Sequence, residues 1–360
     1  MGGSEVDTEG ERLDLSPQRL PLWTADLPGV GGLAKASPDD FEVEEIPAYL
    51  PSGAGEHLYL WIEKRGRTTP EVAQAVAGAL DLPGRAVSWA GLKDRQGVTR
   101  QWLSAHTPKP WPAALEGDGF RVLRAERHEN KLRPGHLRGN RFRLLVRGAS
   151  DAERARAILA RLSGRGLPNW FGPQRFGRYG DNASLGLALL GRGEHPGAER
   201  ARRDRFLRRL ALSALQSELF NRTVALRIEE GAFERPLPGD LLQLGEDGRG
   251  PLFRCEDVAL DAPRVARFEA TPTGPMAGPR MRAPAGEALG LEARVLEAAG
   301  LSAADLERLG PDAEGARRPI RVRPIDAEVL ELPEGLRLSF SLPRGAYATS
   351  LLRELVKPAV

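Results

Sequence analysis

The chain of 360 residues contains a single cysteine, Cys255, and no apolar run long enough to span a membrane. One thiol excludes a disulfide within the chain and a thiolate metal cage. It also favours a reducing compartment, which predicts a cytoplasmic location. The first residues are acidic rather than basic, which argues against a secretory signal peptide. We therefore expect a cytoplasmic protein that has no membrane partner.

Several motifs of enzyme chemistry are also missing. The sequence has no Walker phosphate loop, no His-Glu-x-x-His and no nucleophile elbow. Its five histidines are scattered, without the spacing of metal ligands. The glycines of residues 29–32 resemble a dinucleotide fingerprint, but no predicted strand precedes them. We expect no metal and no small-molecule cofactor, and the remaining candidate chemistry uses a carboxylate.

Charge is unevenly distributed along a chain whose formal net charge is only +3. Residues 117–147 carry nine Arg or Lys and three acidic residues, and residues 200–209 carry six Arg and one Asp. Taken alone, either cluster fits a solvated helix face. Two such clusters on one chain favour a polyanionic partner, of which nucleic acid is the first candidate.

Periodicity divides the chain into an ordered series of elements. Alternation predicts strands at residues 41–46, 57–62 and 336–342. We predict helices from an N-cap at Thr69, from a capping box of Ser150 and Glu153, over residues 200–229 and 291–309, and over residues 347–357. Residues 1–20 have no sustained periodicity, which predicts a flexible leader. Residues 231–290, rich in Pro and Gly, are predicted to form short strands and loops.

The most informative segment surrounds Asp94. Apolar residues precede it and an alternating stretch follows it, so a loop between two strands is predicted there. Lys93 and Arg95 flank the carboxylate, and nearby cations favour its ionised form. An ionised carboxylate on a loop held by a sheet is a candidate nucleophile or base. For an isolated Lys-Asp-Arg, however, a solvated turn with a surface ion pair is the commoner explanation.

Five sequence blocks occur in a fixed order and together resemble the TruD family, the tRNA pseudouridine(13) synthases. The resemblance covers about residues 33–357 and is weakest in residues 230–315. The blocks are Lys-x-x-Pro-x-Asp-Phe-x-Val-x-Glu from Lys35, Gly-x-Lys-Asp-x-x-x-Val-Thr-x-Gln from Gly91, Gly-Asn-x-Phe from Gly139, Asn-x-Phe-Gly-x-Gln-Arg-Phe-Gly from Asn169, and Gly-x-x-Ala-Thr-Ser-x-x-Arg-Glu-Leu from Gly345.

The resemblance implies an α+β fold in two domains. A catalytic domain of the pseudouridine synthase fold, with a mixed, largely antiparallel sheet flanked by helices, is expected at residues 21–165 and 321–360. An inserted α/β domain, the TRUD domain, is expected at residues 166–320. The implied activity is the isomerisation of uridine at position 13, in the D-arm of tRNA, to pseudouridine. tRNA is thus the implied partner, and a monomer is favoured.

The resemblance also assigns roles to individual residues. Asp94 matches the catalytic aspartate, which can attack C1′ of the ribose, add to C6 of the base or remove a proton; the sequence leaves these three open. The residues that match the surroundings of the target nucleotide are Phe41, Asn140, Tyr347, Phe142, Lys35 and Lys93. In bacterial relatives Ala is usual at Gly97 and Phe is common at Tyr347. The glycine is expected to loosen the loop.

Two other functions fit some of the same residues. A non-catalytic protein that binds or folds tRNA would share both basic clusters. A carboxylate-based glycoside hydrolase would need a second carboxyl group across the scissile bond, and Asp39, Asp40 and Glu44 are available. The ordered family blocks and the Arg-rich clusters favour the synthase.

Overall fold

The computed structural model describes residues 20–109, 116–245 and 248–357. These residues form two compact units, which we call the sheet unit (residues 22–169 and 321–357) and the inserted unit (residues 20–21 and 170–320). Of the predicted leader, only Leu20 lies within the described residues. In these residues no helix is long and apolar enough to cross a membrane.

The sheet unit contains most of the strands, and all labels follow chain order across both units. Its elements are β1 (Leu33–Ala34), β2 (Phe41–Pro47), β3 (His57–Arg65), α1 (Thr69–Ala79), β4 (Val87–Trp89), β5 (Val98–His106), β6 (Glu116–Gly117), β7 (Phe120–His128), β8 (Leu137–Arg147), α2 (Ala152–Arg165), β9 (Leu167–Pro168), β14 (Arg321–Val322), β15 (Ile325–Leu332), β16 (Gly335–Pro343) and α9 (Ala348–Val356).

One large sheet follows the order β15-β16-β8-β2-β5-β3-β7-β6, with β1 beside β8 and β4 beside β5. Among the described pairs of this sheet only β2 and β5 are parallel, which confirms the predicted mixed, largely antiparallel sheet. Two neighbouring parallel strands begin at the same edge of a sheet. The segments that precede β2 and β5 therefore emerge side by side, and they carry Lys35 and Asp94.

Helices cover one face of this sheet on either side of its centre. On one half, α2 and α9 pack on β2, β8 and β16 through a core that includes Val146, Ile158 and Leu351. On the other half, α1 packs on β3 and β5 through residues such as Ile62 and Val76. The register places both cores on the same face, because paired residues point to the same side of a sheet. The Asp94 loop, residues 90–97, lies at the centre of this face, between the two helical cores.

The inserted unit combines helices with a smaller sheet. Its elements are α3 (Asn182–Leu189), α4 (Ala198–Arg203), α5 (Arg205–Glu229), β10 (Leu241–Leu244), β11 (Leu252–Arg254), α6 (Val258–Ala266), β12 (Ala270–Met276), α7 (Gly286–Ala298), α8 (Ala303–Glu307) and β13 (Ala316–Pro319). The sheet is antiparallel, with the order β11-β10-β12-β13. The long helix α5 buries residues along most of its length, including Leu215, Leu219 and Val224.

Two predicted helix starts were wrong by one residue. The N-cap of α1 is Thr68, whose hydroxyl accepts from the Glu71 N–H; the hydroxyl of Thr69 instead donates to Gln101 Oε1 at 2.8 Å. The N-cap of α2 is Asp151, whose carboxylate accepts from the Arg154 N–H at 2.9 Å. Its left-handed backbone, with φ 72°, is a conformation that Asp tolerates better than most residues.

The inserted unit departs further from the prediction. The helix predicted over residues 200–229 is two helices, α4 and α5, because Asp204 leaves the helical conformation and caps α5. The helix expected over residues 291–309 starts earlier, as α7, and is separated from α8 by Gly300, whose φ is 66°. Helix α6 was missed, since it contains Pro263, which sequence analysis treats as a helix breaker.

Candidate active site

Asp94 lies on a loop between β4 and β5, as the sequence predicted. Its side chain is 48% exposed, and its Oδ2 lies 3.4 Å from the Nζ of Lys35. Lys35 precedes β2, so this pair follows directly from the parallel arrangement of β2 and β5. The carboxylate is thus open to solvent on one side and held by a cation on the other.

Lys35 also covers the ring of Phe41. Its Nζ lies 3.8 Å from the ring centroid, within the range of a cation–π interaction. The backbone of Lys35 is left-handed, with φ 59°, a conformation that costs free energy for a residue other than glycine. Phe41 is only 2% exposed. The structure therefore brings Lys35, Phe41 and Asp94 together, but Phe41 lies beneath Lys35.

Phe142 is the residue behind Phe41. Its ring stacks on Phe340 with centroids 5.3 Å apart and meets Phe41 edge to face at 6.3 Å. Phe142 is 5% exposed and belongs to the core under α2 and α9. In this arrangement Phe142 supports Phe41 from within the core.

Lys93 forms an ion pair with Glu45 and not with Asp94, its neighbour in the sequence. Its side chain is 3% exposed, and its Nζ lies 2.8 Å from the Oε2 of Glu45, whose side chain is fully buried. Glu45 occupies an inward-facing position of β2, in the alternation that begins with Phe41 and Val43. The ammonium of Lys93 is thus neutralised below the loop.

Several buried polar groups attach the Asp94 loop to the sheet and to the start of α1. Gln101 donates from its Nε2 to the Gly91 carbonyl at 3.0 Å, and the Lys93 N–H donates to the Thr69 hydroxyl at 3.1 Å. Lys64, on β3, donates from its Nζ to the carbonyl of Asp94 at 2.6 Å. These bonds hold the main chain on both sides of the carboxylate.

Sequence analysis assigned no role in the site to Glu45, Lys64, Thr69 or Gln101, and it predicted Thr69 only as an N-cap. A signal was nevertheless present for Lys64 and Glu45. Both residues lie at positions of a strand whose side chains alternate into the core, and such positions usually carry an apolar residue. A charged residue at such a position predicts a buried partner.

Asn140 and Tyr347 lie on the same half of the sheet unit. Asn140 is on β8, paired with Glu45 of β2 on one side and with Leu342 of β16 on the other. Its Oδ1 is buried and has no hydrogen-bond partner among the described residues. Tyr347 is half-buried at the N-cap of α9, four residues after β16 ends. A buried carbonyl oxygen that lacks a donor is unfavourable in a closed fold, so Asn140 is ready to accept from a ligand.

The connection between β7 and β8 brings cations to the Asp94 loop. The Gly135 N–H donates to the Ala90 carbonyl at 2.7 Å, at the start of that loop. Among the described residues, the side chains of Lys131, Arg133 and Arg138 have no ion pair. Five other basic residues of the predicted cluster 117–147 bind carboxylates or main-chain carbonyls: Arg121, Arg124, Arg127, Arg141 and Arg147.

The second predicted cluster, residues 200–209, is partly neutralised within the inserted unit. Arg202 and Arg203 pair with Glu199, and Arg205 and Arg208 pair with Asp312. Only a part of the charge counted from the sequence is therefore available to a polyanion.

The histidines are less scattered than their spacing indicates. The sheet places His57 opposite His106 on β5 and opposite His128 on β7. Burial, with the nearby cations, holds the pKa of His57 below its usual range. In the part of the chain that the structure describes, no group of three or more His, Cys, Asp or Glu side chains is placed to hold a metal ion.

Comparison with known proteins gives a consistent result. The family model of tRNA pseudouridine synthase D (TruD) matches residues 19–200 and 197–355, including the region where no family block could be placed from the sequence. The tRNA pseudouridine synthase D of Anaeromyxobacter dehalogenans strain 2CP-C is 55% identical over 339 residues, covering 94% of this chain and 96% of that protein. A protein of the same name from Thermus thermophilus is 45% identical over 349 residues, or 95% and 93% of the two chains.

A solved structure shows the same fold. The crystal structure of the putative tRNA pseudouridine synthase D (TruD) of Methanosarcina mazei superposes with a TM-score of 0.73. It covers 95% of this chain and 97% of its own, at 23% sequence identity. With the extent of the family match and the identity to the bacterial relatives, these findings show that the chain belongs to the tRNA pseudouridine synthase D (TruD) family.

Proposed function

We propose that this protein isomerises a uridine of tRNA, at position 13 in the D-arm, to pseudouridine, with Asp94 as the catalytic carboxylate. The observation that carries the proposal is the placement of Asp94. Its half-exposed side chain stands on a loop whose main chain is bonded on both sides, at the centre of the sheet face between the two helical cores. Fixed geometry of this kind is what a reacting group needs.

The reaction rearranges bonds within one nucleoside. The N1–C1′ glycosidic bond breaks, the uracil turns, and C5 bonds to C1′; the proton lost from C5 is balanced by one gained at N1. The carboxylate of Asp94 serves at C1′, at C6 or as the base. The Lys35 ammonium lies 3.4 Å from the carboxylate and forms an ion pair with it.

The surrounding side chains suit a uracil that has left the base stack. The orphaned Oδ1 of Asn140 can accept from the uracil N3–H. Tyr347, half-buried, offers a ring for stacking, whereas the ring of Phe41 becomes available only if Lys35 moves aside. Lys93 acts indirectly in this proposal, since Glu45 already binds its ammonium.

Binding of the tRNA is assigned to unpaired cations beside the loop. Lys131, Arg133 and Arg138 lie on or next to the segment that Gly135 attaches to Ala90. Phosphate contacts by such residues position a polyanion without reading its sequence. The cytoplasmic location and the monomeric state remain predictions.

The test is Asp94→Asn, assayed by tritium release from tRNA labelled with tritium at uridine C5 and by mapping of the modified base. We expect no release above background, with the tRNA dissociation constant within twofold of the wild type. Asp39→Asn is the matched control, because Asp39 is an exposed carboxylate of the same unit that pairs with Arg65. Asp39→Asn is expected to keep full activity.

Other outcomes separate the alternatives. Wild-type protein that binds tRNA but releases no tritium supports the non-catalytic RNA-binding protein. Wild-type protein that frees uracil from the tRNA without releasing tritium supports the two-carboxylate hydrolase. Substantial release by Asp94→Asn would falsify the catalytic assignment, and mapping of pseudouridine to another nucleotide would overturn position 13.

A further inference from the structure

Lys64 is a charged side chain buried within the sheet unit, and the proposed reaction does not use it. It lies near the end of β3, in register with Thr99 of β5 and Phe120 of β7. Leu60 and Ile62 precede it on the same face, where they pack against α1. Lys64 is 1% exposed, although lysine is rarely buried without a partner of opposite charge.

The ammonium of Lys64 binds main-chain carbonyls rather than a carboxylate. Its Nζ donates to the carbonyl of Asp94 at 2.6 Å and to that of Arg67 at 2.8 Å. Among the described residues it forms no ion pair within 4.0 Å. Lys64 thus connects the Asp94 loop to the turn between β3 and α1, at the residue that carries the proposed catalytic group.

Burial changes the pKa of the Lys64 ammonium. Desolvation lowers the pKa of Lys64 to about 8. The charges that face it act in both directions: Asp94, from the loop, and Glu71, at the start of α1, raise the pKa, whereas Lys93 lowers it. A buried charge kept at this cost, without a close carboxylate, indicates a role other than stability.

We propose that Lys64 is a positioning residue, which fixes the main chain of Asp94 from below so that its carboxylate points into the site. The inference rests on the proposed function of Asp94. The flanking bonds from Gln101 to Gly91 and from Arg95 to Gly66 do not depend on Lys64. Removing Lys64 therefore releases Asp94 itself while the rest of the loop stays attached.

Two consequences distinguish positioning from a structural role. The carboxylate loses its orientation, and displacement of a reacting group by about 1 Å costs about a hundredfold in rate. The tRNA phosphates are bound elsewhere, so KM is expected to change little. A merely structural role would instead reduce the folded fraction and leave the turnover of the folded protein unchanged.

The pH dependence gives a second readout. Above pH 8 Lys64 becomes neutral, and its bonds to the two carbonyls lose their charge assistance, so kcat falls. The stability of the fold changes in the opposite direction. Because the unfolded lysine keeps its proton to about pH 10.5, the unfolded state binds more protons between pH 8 and 10.5, and stability rises with pH.

The experiment compares wild type, Lys64→Met and Lys64→Arg by tritium release between pH 6.5 and 9.5, with tRNA affinity and urea unfolding measured in parallel. Lys109→Met is the control, because Lys109 also donates to a main-chain carbonyl, that of Leu80, but its ammonium binds no residue of the Asp94 loop. We expect Lys64→Met to lower kcat ten- to a hundredfold with KM within twofold and to lack the alkaline decrease. Lys64→Arg is expected to restore part of kcat, and Lys109→Met to behave as wild type.

Each contrary result identifies what fails. If the wild type releases no tritium, the proposed function fails; if the wild type is active and folded Lys64→Met has the same kcat, only the role of Lys64 fails. Should Lys64→Met not fold, Lys64→Arg decides, because arginine keeps its charge throughout this pH range. A folded Lys64→Arg whose kcat is below that of the wild type but lacks its alkaline decrease supports the proposal, and one with the kcat and pH profile of the wild type overturns it.

Discussion

Glu45 and Lys93 form a buried ion pair, with Nζ 2.8 Å from Oε2 and side chains that are 0% and 3% exposed. The pair connects β2 to the residue next to Asp94. Two charges in such a site are individually costly to bury, and each is tolerated only because the other is present. The Trp102 N–H also donates to the second Glu45 oxygen, at 3.4 Å.

Glu45→Gln is therefore expected to destabilise the fold by about 3–5 kcal/mol, since it leaves the Lys93 charge buried and unpaired. Urea unfolding measures this cost. The double variant Glu45→Leu/Lys93→Met is the control, because replacing both charges by apolar groups is often neutral for stability. We expect the double variant to recover stability but not kcat. A cost below about 1 kcal/mol for Glu45→Gln would show that the pair is hydrated.

Gly97 is explained by close packing rather than by freedom of the loop. A Cβ at this position would lie 2.6 Å from the Phe41 carbonyl oxygen and 3.1 Å from its Cδ1. The φ of Gly97 is not in the left-handed region, so backbone conformation alone does not require glycine. The sequence predicted that Gly97 loosens the loop, whereas in the structure Gly97 lets the loop contact Phe41 of β2 directly.

Gly97→Val, which is larger than the Ala usual in bacterial relatives, is expected to push Phe41, and with it Lys35, away from Asp94. It is expected to lower kcat/KM about tenfold, a barrier increase of about 1.4 kcal/mol. Tritium release under saturating and limiting tRNA measures it. Gly78→Ala is the matched control, since Gly78 lies in α1 and a Cβ added there would meet no atom within 4 Å. That variant is expected to keep activity and to gain about 0.5–1 kcal/mol in stability. Wild-type activity in Gly97→Val would mean that the loop shifts without consequence.

Much of the sheet unit was predictable from local sequence. The alternation from Phe41 and from Leu336 locates β2 and β16, and the flanking apolar residues locate the Asp94 loop. The order of the family blocks predicted the family and the fold, and both predictions are confirmed. Helix boundaries were less accurate, because adjacent residues such as Thr68 and Thr69 are equally good caps and only their contacts distinguish them.

The contacts around Asp94 could not be predicted, because they cross the sheet. Lys64 reaches Asp94 across 30 positions in the chain, and Glu45 reaches Lys93 across 48. Local periodicity contains no information about which loop will lie over which strand. The roles of individual site residues therefore remain predictions. Lys93 is an example: its position next to Asp94 in the sequence suggested a place beside the target nucleotide, but its buried ammonium binds Glu45 instead.

The unpaired cations beside the Asp94 loop predict the salt dependence of tRNA binding. Replacing Lys131, Arg133 and Arg138 by Ala is expected to reduce the slope of log K against log salt concentration by about 2–3, at about 0.7–0.9 for each phosphate contact. Arg267→Ala/Arg294→Ala is the control, because each guanidinium already binds a carboxylate of its own, Glu269 and Glu230. Filter binding between 50 and 300 mM salt gives both slopes. An unchanged slope in the triple variant would place the phosphates elsewhere.

Asp40 predicts an acid-sensitive contribution to stability immediately before Phe41. Its side chain is 1% exposed and accepts two bonds from the Arg147 guanidinium, at 2.7 and 2.8 Å, and one from the Ser37 N–H. The bonds from Arg147 hold the pKa of Asp40 below its usual range. A carboxyl whose pKa is lower in the folded than in the unfolded state stabilises the fold above the unfolded value. That contribution is lost as the pH falls below about 4.

Asp40→Asn is therefore expected to cost about 1–3 kcal/mol at pH 7, the typical cost of losing charge-assisted bonds to a buried group, and progressively less as the pH falls from 5 to 3. Urea unfolding at pH 7, 5 and 3.5 measures the difference from wild type. Asp81→Asn is the control, because Asp81 is an exposed partner of Lys109 and its left-handed backbone also suits Asn. A difference for Asp40→Asn that stays constant with pH would mean that the lost contacts do not depend on the charge of Asp40.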